Sequence, residues 1–286
     1  MTRIVYVNGC YRPYADAVVH VEDRGFQFGD AVYEVCQVRQ GYIIDEARHL
    51  ARLARSLGEL SIPAPMSDRA LGHVIRETIR RNRVRNGMLY LQVSRGAAPR
   101  DFAFPSNDTP PTLVCLARSI PLARQQAQAE TGIKVITQPD QRWHRCDIKT
   151  VMLLPACLAK QAASEAGAKE AWLVDAEGFV TEGASSNAWI VDADGVLVTR
   201  QIDRAILAGV TRATLLDAIA RAGMRVVERR FTPHEASAAA EAFVTAATNT
   251  VMPVVAIDGR AIGDGRPGPV VTRLRKIFQE VAAPTK

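Results

Sequence analysis

The chain has 286 residues, of which 36 are basic and 30 acidic, giving a formal charge of +6; 48% are hydrophobic and 23% charged. This balance matches ordinary globular domains and excludes disorder as the dominant state. A chain this long buries roughly three quarters of its unfolded surface, so it can build a core without staples, as one large domain or two of ordinary size. No apolar run approaches the roughly 18 residues that cross a bilayer; the longest, Val151–Ala159, is broken by Pro155. Met1–Tyr6, followed by Asn8-Gly9, carries no apolar stretch of the signal-peptide kind, which predicts a cytoplasmic protein.

Thirty of the basic residues are Arg and only six are Lys. Runs such as Arg80-Arg81-Asn82-Arg83 are short and lack aromatic interleaving, so they predict solvated helix faces and no nucleic-acid partner. The excess still attracts small anions. Cys10, Cys36, Cys115, Cys146 and Cys157 are scattered and odd in number, and the five histidines show no ligand spacing. The expectation is reduced thiols and no metal.

In chain order, Ile4–Val7, Ala17–Val21 and Val32–Val38 predict strands. Glu46–Leu60 predicts a helix with Leu50, Leu53, Ala54 and Leu57 on one face, and Ser67 caps a second running through Ile79. Met88–Ser94 and Thr112–Ala117 predict strands on either side of the proline-rich loop Ala97–Pro111. Arg118–Thr131, polar and without an apolar stripe, predicts a linker, so we expect domains at 1–120 and 131–286 joined by 121–130. Beyond it come a strand at Ile133–Gln138, a helix from Thr150 to about Ala166, and hairpins turning at Asp175–Gly178 and Asp192–Gly195. A helix Thr211–Ala222 ends at Gly223, strands follow at Phe243–Ala247 and Val254–Ile257, and Thr272–Val281 closes the chain as a helix. Hairpins mixed with helices in both halves predict an α+β fold.

Lys149, in a lysine-poor chain, lies at the edge of the most apolar segment. Desolvated there, its amine would become a usable nucleophile for a Schiff base; the alternative is a snorkelling side chain. Glu182 precedes the small residues Gly183-Ala184-Ser185-Ser186, where a carboxylate could hold a cationic ring nitrogen or merely sit in a turn. Leu207-Ala208-Gly209-Val210-Thr211 opens a helix whose free amides suit a phosphate, or need only a cap. Arg52 offers a countercharge, and Thr248 small polar groups for the same anion. A lysine, a carboxylate, a helix N-terminus and an arginine are the parts that pyridoxal phosphate requires.

Asp147-Ile148-Lys149, Leu153-Leu154, Leu158-Ala159-Lys160-Gln161 and Thr181-Glu182-Gly183-x-Ser185-Ser186-Asn187 together resemble the fold-type IV aminotransferases. Phe28-Gly29-Asp30-x-Val32-Tyr33-Glu34-Val35 and Val93-Ser94-Arg95-Gly96 with Pro99-Arg100 resemble their D-amino-acid branch. The resemblance implies a small N-terminal α/β domain, a larger β-barrel-like C-terminal domain with helices, pyridoxal 5'-phosphate as cofactor, and a homodimer. It implies transamination between D-amino acids (D-alanine, D-glutamate) and 2-oxo acids (pyruvate, 2-oxoglutarate) by a ping-pong route. Lys149 would be the Schiff-base lysine and proton carrier, and Glu182 the partner of the ring nitrogen. Arg52, Val210, Thr211 and Thr248 would hold the phosphate, with Leu207 behind the ring. Tyr33, the partner subunit's Arg100 and residue Phe102 would form the site of the substrate carboxylate.

Two positions depart from the family pattern. Ala247 stands where Thr is frequent, leaving Thr248 or backbone amides to serve. Phe102 stands where the carboxylate motif of well-known members has His, so one donor is missing. The alternatives are an L-branched-chain transaminase, an (R)-amine transaminase, an aminodeoxychorismate-type lyase, or a non-catalytic basic protein binding an anion or nucleic acid.

Overall fold

The structure, a computed structural model, describes residues 3–282. Its contacts divide the chain into two compact units. Among the described residues, the first takes residues 3–121 and also Ile148–Met152; the second takes Leu122–Asp147 and residues 153–282.

In the first unit, β1 (Ile4–Val7), β2 (Cys10–Pro13), α1 (Arg24–Phe28), β3 (Ala31–Arg39), β4 (Tyr42–Ile43), α2 (Glu46–Glu59), α3 (Asp68–Arg81), β5 (Gly87–Ser94) and β6 (Thr112–Ser119) follow in order. The strands form one antiparallel sheet, ordered β2-β1-β6-β5-β3-β4. Strand β3 alternates as a half-buried strand should, with Val32, Glu34, Cys36 and Val38 on the buried side. Helix α2 packs on β3, and α3 on β6 and β1. The inward face of α2 presents His49, Leu53, Ser56 and Leu57 at helical spacing.

Two expectations fail here for clear reasons. Ala17–Val21 forms no strand; Val18 and Val21 are exposed, and a β-branched run is extended without being paired. The helix expected from Thr150 begins only at Leu154, with Pro155 in its first turn. The preceding backbone is spent on the open edge of β3: Tyr33 N donates to Lys149 O at 3.0 Å and Val151 N to Ala31 O at 3.1 Å. Lys149 therefore sits in a non-helical segment that is bridged to β3, ahead of the start of α5.

The second unit contains α4 (Leu122–Thr131), β7 (Ile133–Pro139), α5 (Leu154–Glu165), β8 (Glu170–Val174), β9 (Val180–Gly183), β10 (Asn187–Val191), β11 (Leu197–Thr199), α6 (Val210–Arg221), β12 (Val226–Glu228), α7 (Pro233–Ser237), β13 (Glu241–Ala246), β14 (Thr250–Ile257), β15 (Arg260–Ala261) and α8 (Pro269–Val281). The sheet runs β12-β11-β10-β13-β14-β7-β8-β9, with β15 beside β14. It curls: edge strand β9 meets the approach to β10 through a bridge between Gly183 and Ser186. Ile133, Val135, Trp172, Ile190, Phe231, Val244 and Met252 belong to its core.

The stretch read as a linker is helical over Leu122–Thr131. Its Ala, Gln, Glu and Arg residues are strong helix formers even where, as here, only Ala129 is buried. Gly132, at φ 74°, ends the helix in the left-handed region. The two-domain α+β fold matches the expected class, with a small first unit and a larger, barrel-like second one.

Candidate active site

In the first unit, Lys149 and Tyr33 lie together. The Lys149 Nζ stands 4.2 Å from the centre of the Tyr33 ring, held there by the strand pairing and by a hydrogen bond from Lys149 N to Ser56 Oγ at 3.3 Å. Tyr33 in turn stacks on Tyr90 at 5.8 Å between ring centres. Burial, then the nearby Tyr33, push the Tyr90 phenol up to about 12. Its hydroxyl therefore stays protonated and donates to Gln92 Oε1 at 2.6 Å.

Tyr33 and Glu34 point to opposite faces of β3, because alternate side chains do. On the buried face, Arg52 Nε and Nη2 each donate to a Glu34 oxygen at 2.7 Å, and His49 Nδ1 lies 2.7 Å from Glu34 Oε2. Burial would raise the Glu34 carboxyl, but hydrogen bonds and charge from Arg52, then His49, outweigh it and bring the group to about 2. Burial likewise disfavours the Arg52 cation, and Glu34 overcomes that too, so its pKa is raised. The Glu34, Cys36 and His49 ligand atoms lie within 4.8 Å of one another, with the Arg52 guanidinium supplying the positive charge beside them. Arg100 and Phe102 lie on the loop after β5. The guanidinium of Arg100 is 5.0 Å from the Phe28 ring centre, and Phe102 is 80% exposed.

In the second unit, β9 delivers Glu182 into a tight polar cluster. Leu207 N donates to both of its oxygens at 3.2 Å, Asn187 Nδ2 to Oε2 at 3.0 Å, and Arg142 Nη1 to Oε1 at 2.5 Å. Arg142 turns its fork to Asp140, at 2.9 and 2.7 Å, and Thr181 Oγ1 donates to the same carboxylate at 2.8 Å. Burial opposes both charges, but pairing wins. The Asp140 carboxyl is lowered, and the Arg142 guanidinium is raised by Asp140 and Glu182.

Asn187 Nδ2 also donates to Leu207 O at 3.0 Å, which fixes the chain just before α6. Gly209 follows as the N-cap of α6. A Cβ there would collide with Asn187 Oδ1, so only glycine allows this approach. No side chain caps the helix, whose first residues are Val210 and Thr211, both buried. Thr248 lies in the turn between β13 and β14, its carbonyl accepting from Gln125 Nε2 of α4. The structure thus joins Glu182, Leu207 and the start of α6 in one cluster, and Lys149 and Tyr33 in another.

Residues 31–257 match the amino-transferase class IV family. A D-alanine aminotransferase of Bacillus licheniformis is 38% identical over 275 residues, 96% of this chain and 95% of that protein. Another, from Staphylococcus haemolyticus, is 36% identical over 276 residues, 96% of each. The chain is a class IV aminotransferase. Among solved structures, a T.th. branched-chain amino acid aminotransferase with pyridoxamine 5'-phosphate superposes with a TM-score of 0.89 at 27% identity, over 98% of this chain and 94% of that one. The Escherichia coli branched-chain enzyme shares the fold, with a TM-score of 0.90 at 24% identity over 98% and 94%.

The cofactor of this aminotransferase is pyridoxal 5'-phosphate, and the residues present fit its three chemical handles. A primary amine answers the aldehyde, a buried carboxylate the ring nitrogen, and a helix start without a side-chain cap the phosphate. Several contributors escaped the sequence reading. Arg142 and Asp140 gave no signal, since Glu182 is some forty residues away in the chain. Asn187 and Glu34 stood inside recognised motifs without a role, although a glutamate on the apolar face of a strand could have suggested a buried ion pair.

Proposed function

We propose that this aminotransferase moves amino groups between D-amino acids, D-alanine and D-glutamate among them, and 2-oxo acids such as pyruvate and 2-oxoglutarate, in two ping-pong half-reactions. The observation that carries this reading is the identity of 38 and 36% to two D-alanine aminotransferases along nearly the whole chain, against 24 and 27% for two branched-chain enzymes of the same fold.

Bound pyridoxal 5'-phosphate supplies an aldehyde for imine exchange and a ring that accepts the electron pair of the broken Cα–H bond. Lys149 would supply the amine that attaches the cofactor, and its Nζ would carry the proton of the amino-group shift. Tyr33, at 4.2 Å, gives that ammonium an aromatic face. Glu182 keeps the ring nitrogen protonated; Asn187, Leu207 N and Arg142 hold its carboxylate in place before the reaction begins. Arg52, Val210, Thr211 and Thr248 are the residues that would bind the phosphate, and Leu207 would pack against the ring. Tyr33 and Arg100 receive the α-carboxylate beside Phe102.

We also infer a cytoplasmic homodimer in which the partner subunit's Arg100 completes the carboxylate site, and a division into domains at 1–120 and 131–286. Exposed apolar side chains on the first unit, among them Val18, Val21, Phe26, Phe102 and Phe104, support a covering partner. No helix among the described residues is long and apolar enough to cross a membrane. Half-reaction spectra with paired D- and L-amino acids test the function. Loss of the long-wavelength band with D-alanine and D-glutamate is the expected result; loss with L-leucine or L-valine alone would establish the branched-chain alternative.

A further inference from the structure

The loop that carries Arg100 and Phe102 is fastened from beneath by one buried arginine. Arg24, only 3% exposed, donates through Nε to Asp30 Oδ2 at 2.8 Å. Its Nη1 reaches the carbonyls of Asp101 at 2.7 Å and Ala103 at 3.3 Å. Those two carbonyls bracket residue 102. The same guanidinium lies 4.6 Å from the Phe28 ring centre, and that ring is also the one Arg100 stands against, at 5.0 Å. Two cations on one ring would repel, but Asp30 neutralises the inner one. Asp30 is also gripped by Arg95, through Nε at 2.7 Å and Nη2 at 3.0 Å, and the Arg95 guanidinium sits 3.6 Å from the centre of Phe104. The loop at 101–104 is therefore latched at two backbone carbonyls and at the Phe104 ring, while the Phe102 ring, 80% exposed, rests only against Phe28 and Arg100 among the ring contacts described.

We propose that Arg24 is a positioning residue for capture of the substrate carboxylate, latching the backbone on either side of residue 102 so that Arg100 and residue 102 are presented in one fixed geometry. This rests on the reading of Arg100 as the carboxylate-binding arginine. Loops that place a charged group on a substrate lose affinity when their supports loosen, because the binding step must then order them. A lysine at position 24 could hold Asp30 or the carbonyls, having no planar fork to hold both.

The test uses the holoenzymes of Arg24→Met, Arg24→Lys, Arg100→Ala and the double variant Arg24→Met/Arg100→Ala. Asp30 keeps Arg95 in every case, so its charge stays paired. Arg24→Met should raise KM for D-alanine roughly tenfold or more, with Arg24→Lys intermediate and kcat little changed. Capture of the cofactor aldehyde by methoxyamine, which has no carboxylate, should proceed at the wild-type rate. Amide exchange over 101–104 should quicken. In the Arg100→Ala background, Arg24→Met should add nothing. Additive effects, an equal loss with methoxyamine, unchanged exchange at 101–104, or loss of the folded state in both position-24 variants would each overturn the proposal. An unchanged KM in Arg100→Ala would instead overturn the reading of Arg100 and the functional role of the latch with it, while the exchange data would still decide whether the latch exists.

Discussion

Glu34 in the first unit and Glu182 in the second are both buried glutamates held by an arginine, yet the two pairs run in opposite directions. Glu34 gives both oxygens to Arg52, so the carboxylate orients the guanidinium and keeps its charge inside the protein. Arg142 reaches Glu182 through Nη1 and commits its fork to Asp140, so here an arginine anchored elsewhere orients the carboxylate. A bidentate pair fixes the arginine, and a carboxylate met by separate donors from Arg142, Asn187 and Leu207 N is itself fixed. The first arrangement suits a cation offered to an anion, the second an anion offered to a protonated ring nitrogen.

The proposed attachment point of the cofactor is Lys149. Lys149→Ala should abolish turnover and the absorbance of the attached cofactor, because attachment and proton transfer both vanish. Borohydride reduction of the wild-type protein followed by peptide mass mapping should find the cofactor on Lys149. Label on Lys160 or Lys169 would remove the chemical centre from both clusters.

Glu182→Gln sharpens the contrast next. The amide keeps the shape but loses the charge, so cofactor should remain bound while the chemical step slows about 10²-fold or more. Single-turnover kinetics with D-alanine would show it. A wild-type rate would reduce the Glu182 cluster to structural support.

Glu34 should show its effect in acid stability. Its carboxyl falls from an ordinary 4.5 to about 2, and a group with a lowered folded-state pKa contributes stability that is full above the unfolded value and lost as pH falls through the folded one. The window is therefore pH 4.5 down to about 2, and the contribution about 3 kcal/mol. Glu34→Gln should flatten the decline of urea-unfolding stability across that window, while also lowering the stability at neutral pH. An unchanged pH dependence would mean that Glu34 does not grip Arg52 as described.

What the sequence disclosed and what it hid follow the same division. Lys149, Glu182 and the Gly209–Thr211 helix start stood out in the sequence because each belongs to a local pattern: a rare residue, a carboxylate before small residues, a glycine before a helix. The Glu182–Arg142 and Arg24–Asp101 contacts were not, because they join residues far apart in the chain through geometry that no local period encodes. The helix α4 hid for another reason. Its composition favours helix strongly, but a polar helix with one buried residue leaves no apolar stripe to read. Thr150–Leu153 misled the opposite way, an apolar run with a helical look whose start is taken up by the bridge from Thr150 to β3, so that the helix begins only at Leu154.

The smallest effect concerns the loop that neither glutamate supports. Phe102 is exposed and touches its own protomer chiefly through Phe28, 5.7 Å between ring centres, so replacing it should barely change stability. Its phenyl ring offers the substrate carboxylate no donor, whereas an imidazole there could add one. A hydrogen bond to a charged group contributes roughly 1.5–3 kcal/mol, and an exposed position realises the lower end. Phe102→His should therefore lower KM for D-alanine by about tenfold with kcat nearly unchanged, while Arg100→Ala should raise it. The alternative role for Phe102 is packing against a second subunit, and that predicts something different: the histidine variant would dissociate on dilution and leave KM unimproved. Steady-state kinetics read beside sedimentation of the same variant distinguish the two.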